Sequence, residues 1–376
     1  MKTLERYRYI QGAEIRCLAD ISAEKLGHGA EVLAKTGRPQ ADLLAGEDAW
    51  REAIERSDID LLYICTDWST HCRMAVEAMK HGKHVAVEVP AATTIEECWQ
   101  LIRTTEETRR HCFMTENCCY DFFALAALEM KQVGLLGNIT HCEGAYIHDL
   151  RDVFGLTGEQ ARHNSTLLWM ERSLATHGGN PYPTHGVGPI GWLLGLHRGD
   201  RMDRVVSLTS GGGGPDELLG RVNTTLIHTV QGISIMLQLD IATPRPYSRL
   251  QTICGTRGFL QKYPVPTIQT ADYPHALTGE EALLEADKYA TSHAAHLWHE
   301  GHRLGVPNEM NYTMDSRLIY CLRKGLPLDI DVYDAAEWSA LAELSEISAR
   351  RGSLPVDVPD FTRGHWQDLQ GHRMYT

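Results

Sequence analysis

A tyrosine and a histidine three residues apart stand in the stretch NPYPTHG, where both side chains could carry protons. Pro181 and Pro183 flank Tyr182, and a proline fixes the backbone angle φ and stiffens the chain. Gly186 follows His185, and a glycine permits close approach or unusual dihedral angles. A loop this stiff is uncommon as a mere connector. The pattern therefore predicts a site that holds a phenol and an imidazole in place for acid–base chemistry.

A second candidate is the acid that ends the predicted strand EIRCLAD. Asp20 stands where a dinucleotide-binding fold carries the carboxylate for the adenosine ribose, although a turn or N-cap role is the alternative. The GxGxxG fingerprint should lie about twenty residues upstream. The nineteen residues before Asp20 do not contain it. We therefore expect a start downstream of the true one, a trimmed sequence, or a variant without the first strand and glycine loop.

Strand and helix signals alternate along the first part of the chain. Strands are predicted at 14–20, 60–67 and 84–90, and helices at 21–37, 71–83 and 93–110. Ser22 and Thr93 are the predicted N-caps of the first and third helices. The alternation is typical of a parallel sheet, whereas the runs after about residue 137 resemble a larger mixed or antiparallel sheet. We predict an α/β fold with a Rossmann-like doubly wound domain at 1–120 and an α+β domain with an open sheet at 121–376.

Composition excludes several classes of protein. The formal charge of −13 argues against binding nucleic acid through bulk electrostatics. The sequence contains no run of 18 apolar residues, so a membrane span is not predicted. The ten cysteines form no CxxC pair, so a zinc ribbon is not indicated and buried free thiols are expected. We expect a cytoplasmic protein as the sequence stands, or an exported one if a preceding segment carries a signal.

A cluster of four histidines occupies the predicted helix SHAAHLWHEGHR. The members are His293, His296, His299 and His302. Their spacing of three places them along one helical face, as metal ligands could be. The HExxH pattern of zinc peptidases is not present in this segment. We interpret it as a partly exposed histidine-rich helix and predict no metal site.

Several segments, taken together, resemble one superfamily of oxidoreductases. They are DWSTHCRMAVEAMKHGKHVAVEVPAATTIEECW, MTENCCY, GAYIHDLR, NPYPTHGVGPIGWLLGLHRGDR, PRPYS, PLDIDVYDAAEWSA and VPDFTRGHW. In this order they are similar to the Gfo/Idh/MocA proteins, and most similar to the NAD-dependent α-N-acetylgalactosaminidases of glycoside hydrolase family 109. Ordinary dehydrogenases of the superfamily carry a Glu-Lys-Pro motif beside the nicotinamide. This chain reads Glu88-Val89-Pro90 there, as the glycosidase branch does.

The resemblance implies a site for NAD and a site for a sugar. The residues implied to bind NAD are Asp20, Trp68, Ser69, Thr70, His71, Glu88, Val89, Asn117 and Tyr182. Those implied to be catalytic are His185, Tyr182 and Tyr146. Those implied to bind substrate are Tyr146, Arg172, Tyr182, Pro183, Thr184, His185 and Tyr247. From the residues alone, packing or capping roles for Trp68, His71 and Tyr146 stay open.

Two departures from the family pattern concern the sugar. A substrate arginine of the family falls at or near Met170, with Arg172 close by. The family's HGGMDY segment reads PNEMNY at 307–312.

The resemblance also implies a mechanism. It is that of a glycosidase with tightly bound NAD as a recycled cofactor: oxidation at C3, elimination after loss of the C2 proton, hydration and re-reduction. The implied substrates are hexosaminides such as α-N-acetylgalactosaminides, or related glycosides. Two alternatives stay open, a net NAD(P)-dependent sugar or inositol dehydrogenase and a cofactor-free sugar-binding homologue. A homo-oligomer formed through the open sheet is expected.

Overall fold

The computed structural model describes residues 2–150, 168–211, 222–241 and 243–368. Within these ranges no helix combines the length and the apolar character that crossing a membrane requires. The amino-terminal part begins with the short helix α1 (Lys2–Arg6) and then alternates strands with helices. The strands are β1 (Cys17–Asp20), β2 (Asp42–Ala45), β3 (Leu61–Ile64), β4 (His84–Val87) and β5 (Cys112–Met114). The helices between them are α2 (Ala23–Lys35), α3 (Ala49–Glu55), α4 (Trp68–Lys80) and α5 (Ile95–Thr108).

The predicted parallel sheet is present, and it consists of two parts. Strand β1 pairs with β2, and β3, β4 and β5 pair in that order, all in parallel. In the usual doubly wound fold the strands stand in the spatial order 3-2-1-4-5-6. In that numbering β1 and β2 correspond to strands 2 and 3, and β3, β4 and β5 correspond to strands 4, 5 and 6. Among the described residues no strand fills the position of strand 1 between them. Leu61 of β3 instead packs beside a cluster that includes Tyr7, Ile10 and Tyr312.

The helix caps show why these segments are helical. Ser22 accepts from the Lys25 amide at the start of α2, so this predicted N-cap is confirmed. The N-cap of α5 is Thr94, one residue later than predicted, and it forms a reciprocal capping box with Glu97. The shift has a physical reason, because the Glu97 carboxylate also accepts from the amide and hydroxyl of Thr93 and so holds Thr93 outside the helix.

The carboxyl-terminal part is built on one mixed sheet of nine strands. In sequence order they are β6 (Ile139–Ile147), β7 (Met202–Thr209), β8 (Asn223–Thr229), β9 (Ser234–Asp240), β10 (Ser248–Gly255), β11 (Gly258–Gln261), β12 (Thr267–Thr270), β13 (Leu277–Thr278) and β14 (Val356–Asp357). In space the order is β13-β12-β11-β10-β6-β9-β8-β7-β14. Within this sheet, as far as it is described, only the β6–β9 pair is parallel. The expected larger mixed sheet is therefore confirmed.

Seven helices accompany this sheet in the described ranges. They are α6 (Phe122–Gln132), α7 (Leu168–Thr176), α8 (Thr184–Leu194), α9 (Glu280–Asp287), α10 (His293–Leu304), α11 (Glu309–Lys324) and α12 (Val332–Arg350). Helices α8 and α12 contact one face of the sheet, and inward side chains such as Val205 and Ile227 are buried there. One core of buried side chains runs from Trp50 to Phe361 and joins both parts. The predicted domain boundary near residue 120 falls at the end of a 3-10 helix (Asn117–Tyr120) and stays a prediction.

Candidate active site

Tyr182 and His185 lie at the start of helix α8, next to the ends of the parallel strands. The Tyr182 hydroxyl lies 3.0 Å from Nε2 of His185. On the other side of the imidazole, Nδ1 donates to Oε1 of Glu116 across 2.7 Å. A carboxylate, an imidazole and a phenol thus form one chain of hydrogen bonds, which is a suitable arrangement for moving a proton.

The loop before α8 is held by its neighbours rather than by its prolines alone. The Tyr182 amide donates to the side chain of Asn180 at 3.1 Å, and the Asn180 amide donates to the Ser345 hydroxyl at 2.8 Å. A Cβ atom built on Gly144 of β6 would overlap the carbonyl oxygen of Gly186. A Cβ atom on Gly186 would in turn lie 2.9 Å from the backbone nitrogen of Ala145. The predicted close approach at Gly186 is therefore confirmed, because glycine at both Gly144 and Gly186 lets α8 lie this near to β6.

Glu116 is the main functional residue that the sequence reasoning did not single out. It follows strand β5 and is fully buried. Burial alone would raise the pKa of this carboxyl, but His185 and the Thr184 hydroxyl lower it below its ordinary value. The signal was present in the sequence, because an acid at the end of an apolar strand is costly to bury unpaired.

The charge state of His185 follows from these partners. Burial would lower the pKa of the imidazole, but Cys118 and Glu116 raise it well above its ordinary value. These partners favour the imidazolium form, in which Nδ1 donates to Glu116 and Nε2 donates to the Tyr182 oxygen. A protonated histidine facing a phenol can supply a proton to a leaving group or an alkoxide.

Glu88 provides a second titratable carboxyl at the end of β4. Burial raises its pKa to about 7, with Thr115 and His185 acting in the opposite direction. The charges of Glu88 and Glu116 both act on the Tyr182 phenol, and burial with these charges raises its pKa well above the usual value. Two carboxyls with pKa values pushed apart, one raised and one lowered, are typical of acid–base sites.

Aromatic rings form the walls around this relay. The Tyr146 ring lies 5.0 Å from Tyr182 and 5.3 Å from His185, and its hydroxyl is 2.9 Å from Nδ1 of His148. Tyr247 lies 6.4 Å from Tyr146 and is partly exposed. Burial raises the pKa of both tyrosines. The structure therefore brings Tyr146 and Tyr247 to the Tyr182–His185 pair, as the sequence predicted.

Two tryptophans close the other side of the site. The Trp68 ring stacks on Tyr182 at 5.4 Å, which places the start of α4 against the relay. Trp169 of α7, which sequence reasoning did not identify, meets Trp68 edge-on at 5.2 Å. Arg172 also lies on α7, but its side chain is outside the described part of the structure.

Other predicted contacts lie behind the site or at its edge. His71 is fully buried, and its two ring nitrogens face the carbonyl oxygens of Pro90 at 2.8 Å and Thr66 at 3.1 Å. Thr184 is fully buried beside Glu116, so in this structure it supports the relay. Their predicted contacts with cofactor and substrate stay predictions. The remaining members are Val89 and Pro183, which are buried, and Ser69 and Thr70, which are at least partly exposed at the start of α4.

The strand ends supply groups that fit a dinucleotide. Oδ1 of Asp20 accepts from the Ser22 amide at 2.8 Å, which leaves Oδ2 for a ribose hydroxyl. At the other end Glu88 and Asn117 follow β4 and β5, next to the relay. The side-chain amide of Asn117 donates to the side-chain oxygen of Asn311, so the segment 307–312 that departs from the family pattern supports a predicted cofactor residue. Asp20, Glu88 and Asn117 would therefore hold the ribose and nicotinamide ends.

Helix α10 carries the four histidines of the predicted cluster. His296, His299 and His302 of α10 are exposed, and His302 stacks on Trp298. His293 is half-buried, with Nδ1 at 2.7 Å from the Arg317 guanidinium. The predicted partial exposure of the helix is confirmed.

Known proteins resemble the chain along nearly its whole length. Residues 3–116 match the oxidoreductase family with an NAD-binding Rossmann fold, and residues 120–368 match the carboxyl-terminal domain of glycosyl hydrolase 109. An alpha-N-acetylgalactosaminidase of Bacteroides fragilis is 53% identical and aligns over 97% of this chain and 90% of its own. A glycosyl hydrolase family 109 protein of Porphyromonas gingivalis is 44% identical, and the alignment covers 98% of this chain and 84% of that protein.

Solved structures show the same fold at low sequence identity. A levoglucosan dehydrogenase in complex with NADH and levoglucosan superposes with a TM-score of 0.71 at 18% identity, covering 96% of each chain. An oxidoreductase of Agrobacterium radiobacter in complex with NAD+ superposes with a TM-score of 0.70 at 16% identity, covering 95% of this chain and 94% of that one. The strand ends that fit a dinucleotide, the Rossmann match and the glycosidase relatives agree. The chain belongs to glycosyl hydrolase family 109, the NAD-dependent glycoside hydrolases, and NAD is its cofactor.

Proposed function

We propose that the chain hydrolyses α-linked N-acetylgalactosaminides or closely related hexosaminides, and that it does so without net oxidation. The observation that carries the proposal is the hydrogen-bonded chain Glu116–His185–Tyr182, placed beside Glu88 and walled by Tyr146 and Tyr247. Ordinary glycosidases place two carboxylates across the scissile bond. Here one carboxylate is fully buried behind a histidine, which suits proton relay better than attack on a sugar carbon.

Within this proposal the side chains of the protein move protons. When bound, NAD supplies a reversible hydride acceptor beside C3 of the sugar. The proton of the sugar hydroxyl leaves through Tyr182 to the Glu88 carboxylate, and the His185 imidazolium, whose charge Glu116 stabilises, supplies a proton to the leaving group. Tyr146, paired with His148, serves the C2 position as the second proton carrier. Trp68 and Trp169 exclude water from one side of the pocket.

Exchange at the C2 position of the substrate tests this proposal. The enzyme is given nitrophenyl α-N-acetylgalactosaminide in D₂O, and the released sugar is analysed by proton NMR, while free NADH is followed by absorbance. We expect deuterium at C2 and no NADH accumulation. Product with only protium at C2 would refute the elimination route. NADH formed in step with product would favour the net dehydrogenase, and failure to retain NAD would favour the cofactor-free binding protein.

A homo-oligomer formed through the open face of the nine-stranded sheet is part of the proposal. Val206, Leu226 and Met236 stand in register across β7, β8 and β9 on the face away from the helices. Leu226 is 52% exposed, and Leu208 beside it is 63% exposed. An apolar row of this kind is typical of an interface. Leu226→Lys should lower the mass measured by light scattering, whereas Leu284→Lys on α9, an exposed position outside this sheet, should not.

A further inference from the structure

Three side chains of different chemistry meet beside the proton relay. A carboxylate oxygen of Glu116, the thiol of Cys118 and an imidazole nitrogen of His185 all lie within 4.8 Å of one another. Thiolate, imidazole and carboxylate are the ligands that Zn²⁺ takes in proteins. We propose that these three residues form a capture site for a thiophilic divalent cation such as Zn²⁺, and that the bound cation inhibits the enzyme by occupying the relay.

The distances need only a small adjustment to accept the ion. Nδ1 of His185 and Oε1 of Glu116 are 2.7 Å apart, with a proton between them. Tetrahedral zinc with bonds of about 2.0–2.2 Å would hold these atoms about 3.3 Å apart. His185 lies at the start of a helix and is partly exposed, so an ion can reach it from the solvent. With three protein ligands, a fourth position stays open for water or the Tyr182 hydroxyl.

The charged neighbours of the Glu116–Cys118–His185 cluster distinguish it from a second cluster of possible metal ligands. Among the described residues a second cluster of possible ligands is formed by His197, Asp331 and Asp334. There Arg198 already donates to both carboxylates, at 2.8 Å and 3.0 Å, and lies 2.8 Å from the histidine ring. No described arginine or lysine donates to Glu116, and its Oε2 makes no hydrogen bond of ordinary geometry with a described residue, although Thr184 lies nearby. Glu116 therefore keeps capacity for a cation.

Binding of the metal ion would release two protons from its ligands. The thiol proton of Cys118 and the proton shared by His185 and Glu116 leave when the metal enters, because zinc binds thiolate and neutral imidazole. Binding of the ion does not depend on the proposed function. Only the inhibition rests on it, because the ion blocks whatever proton transfer His185 performs.

Cobalt serves as the spectroscopic probe. The metal-free protein is titrated with Co²⁺ and then with Zn²⁺, and absorbance is followed. We expect one Co²⁺ per chain, a thiolate-to-cobalt charge-transfer band, the visible bands of a tetrahedral ion, and displacement by Zn²⁺. Cys118→Ser should remove the charge-transfer band and weaken Zn²⁺ binding by at least about 100-fold, since even an outer-shell partner is worth about 10–100-fold. Cys254→Ser, a partly exposed thiol on β10, should change neither.

The histidine-rich helix α10 offers a rival site and therefore a second control. If Zn²⁺ binds equally well to wild type and Cys118→Ser but is lost in His299→Gln, the proposal is overturned. It is equally overturned if the cobalt adduct has no thiolate band. Should circular dichroism show that Cys118→Ser is unfolded, Cys118→Ala takes its place. Full hydrolytic activity with the metal bound would refute the inhibition and the catalytic placement of His185, while the spectrum would still report the site.

Discussion

Nδ1 of His185 lies 2.7 Å from Oε1 of Glu116, a carboxylate that is fully buried at the end of β5. The two residues are 69 positions apart in the chain. The contact fixes which ring nitrogen faces Tyr182, and the nearby carboxylate raises the pKa of the imidazole and so favours its charged form. A buried carboxylate behind a histidine stabilises the positive charge that forms during proton transfer. Glu116 is therefore a positioning residue for His185.

Replacing Glu116 with glutamine should lower kcat by about 10²–10³-fold, because the imidazolium loses the charge that stabilises it. The pKa of His185 should fall, since Glu116 is one of the causes that raise it. Because the imidazolium supplies the proton in the proposed mechanism, activity is lost as pH rises through this pKa, so the basic limb of the kcat profile should move to lower pH.

The matched control for Glu116→Gln is Glu129→Gln. Glu129 is also buried, but it accepts from the amides of Thr291 and Ser292 at the start of α10. This variant should lower the melting temperature and leave the pH profile in place. A profile that stays unchanged in Glu116→Gln as well would contradict the role assigned to Glu116.

Replacing His185 with alanine should lower kcat by about 10²–10⁴-fold, the usual worth of an acid–base group. The melting temperature should fall as well, because the fully buried Glu116 carboxylate loses its partner. His302→Ala on the exposed face of α10 serves as the control and should leave kcat unchanged. If the loss in His185→Ala appears in KM alone, His185 would be a substrate-binding residue.

Replacing Gly144 with alanine should lower both stability and kcat. The new Cβ would overlap the Gly186 carbonyl and push α8, with Tyr182 and His185, away from β6. A displacement of about 1 Å in a catalytic group costs on the order of 100-fold in rate. Thermal unfolding and steady-state kinetics measure the two effects. Gly27→Ala, a site on α2 with nothing near its Cβ, should instead stabilise the protein by about 0.5–1 kcal/mol.

Replacing Asp20 with asparagine should weaken NAD retention. The change keeps an acceptor for the Ser22 amide but removes the charged acceptor offered to the ribose. A lost hydrogen bond of this kind costs about 1–3 kcal/mol, which corresponds to about 5–150-fold in affinity. NAD content is measured by native mass spectrometry of the purified protein. Asp48→Asn, an acid at the start of α3, is the control, and equal NAD content in both variants would contradict the assignment of Asp20.

Stability should fall in acid partly because of His84. Burial, His111 and Arg110 lower its pKa to about 4, and its Nδ1 accepts from the His111 amide at 3.0 Å. A lowered histidine pKa means that the folded state prefers the neutral ring, so its contribution is present above about pH 6.5 and is lost as pH falls towards 4.

His84→Asn isolates this contribution. Asparagine keeps an acceptor near the His111 amide but does not titrate, so the variant should lose less stability than wild type between pH 7.5 and pH 4.5 in urea unfolding. His81→Asn, at the exposed end of α4, is the control. A parallel pH dependence in wild type and His84→Asn would refute the prediction.

Much of this protein could be predicted from local spacing. The alternation of short apolar strands with capped helices indicated a parallel sheet, because period and caps act within a few residues. The same reasoning placed Asp20 and Glu88 at strand ends, where α/β proteins bind ligands. Motifs in one order indicated the family. The NPYPTHG loop indicated a paired phenol and imidazole, since both prolines and the glycine are neighbours in sequence.

Tertiary structure decided the rest, because the deciding contacts join residues far apart in the chain. Glu116 becomes the partner of His185, and Asn311 that of Asn117, only when separate elements pack together. His71 and Thr184 are fully buried, and their predicted contacts with cofactor and substrate stay predictions. The sequence by itself determined which chemical groups are available and on which strand ends they stand. Packing determined which of them are desolvated, paired and charged, because those properties depend on neighbours that local spacing does not specify.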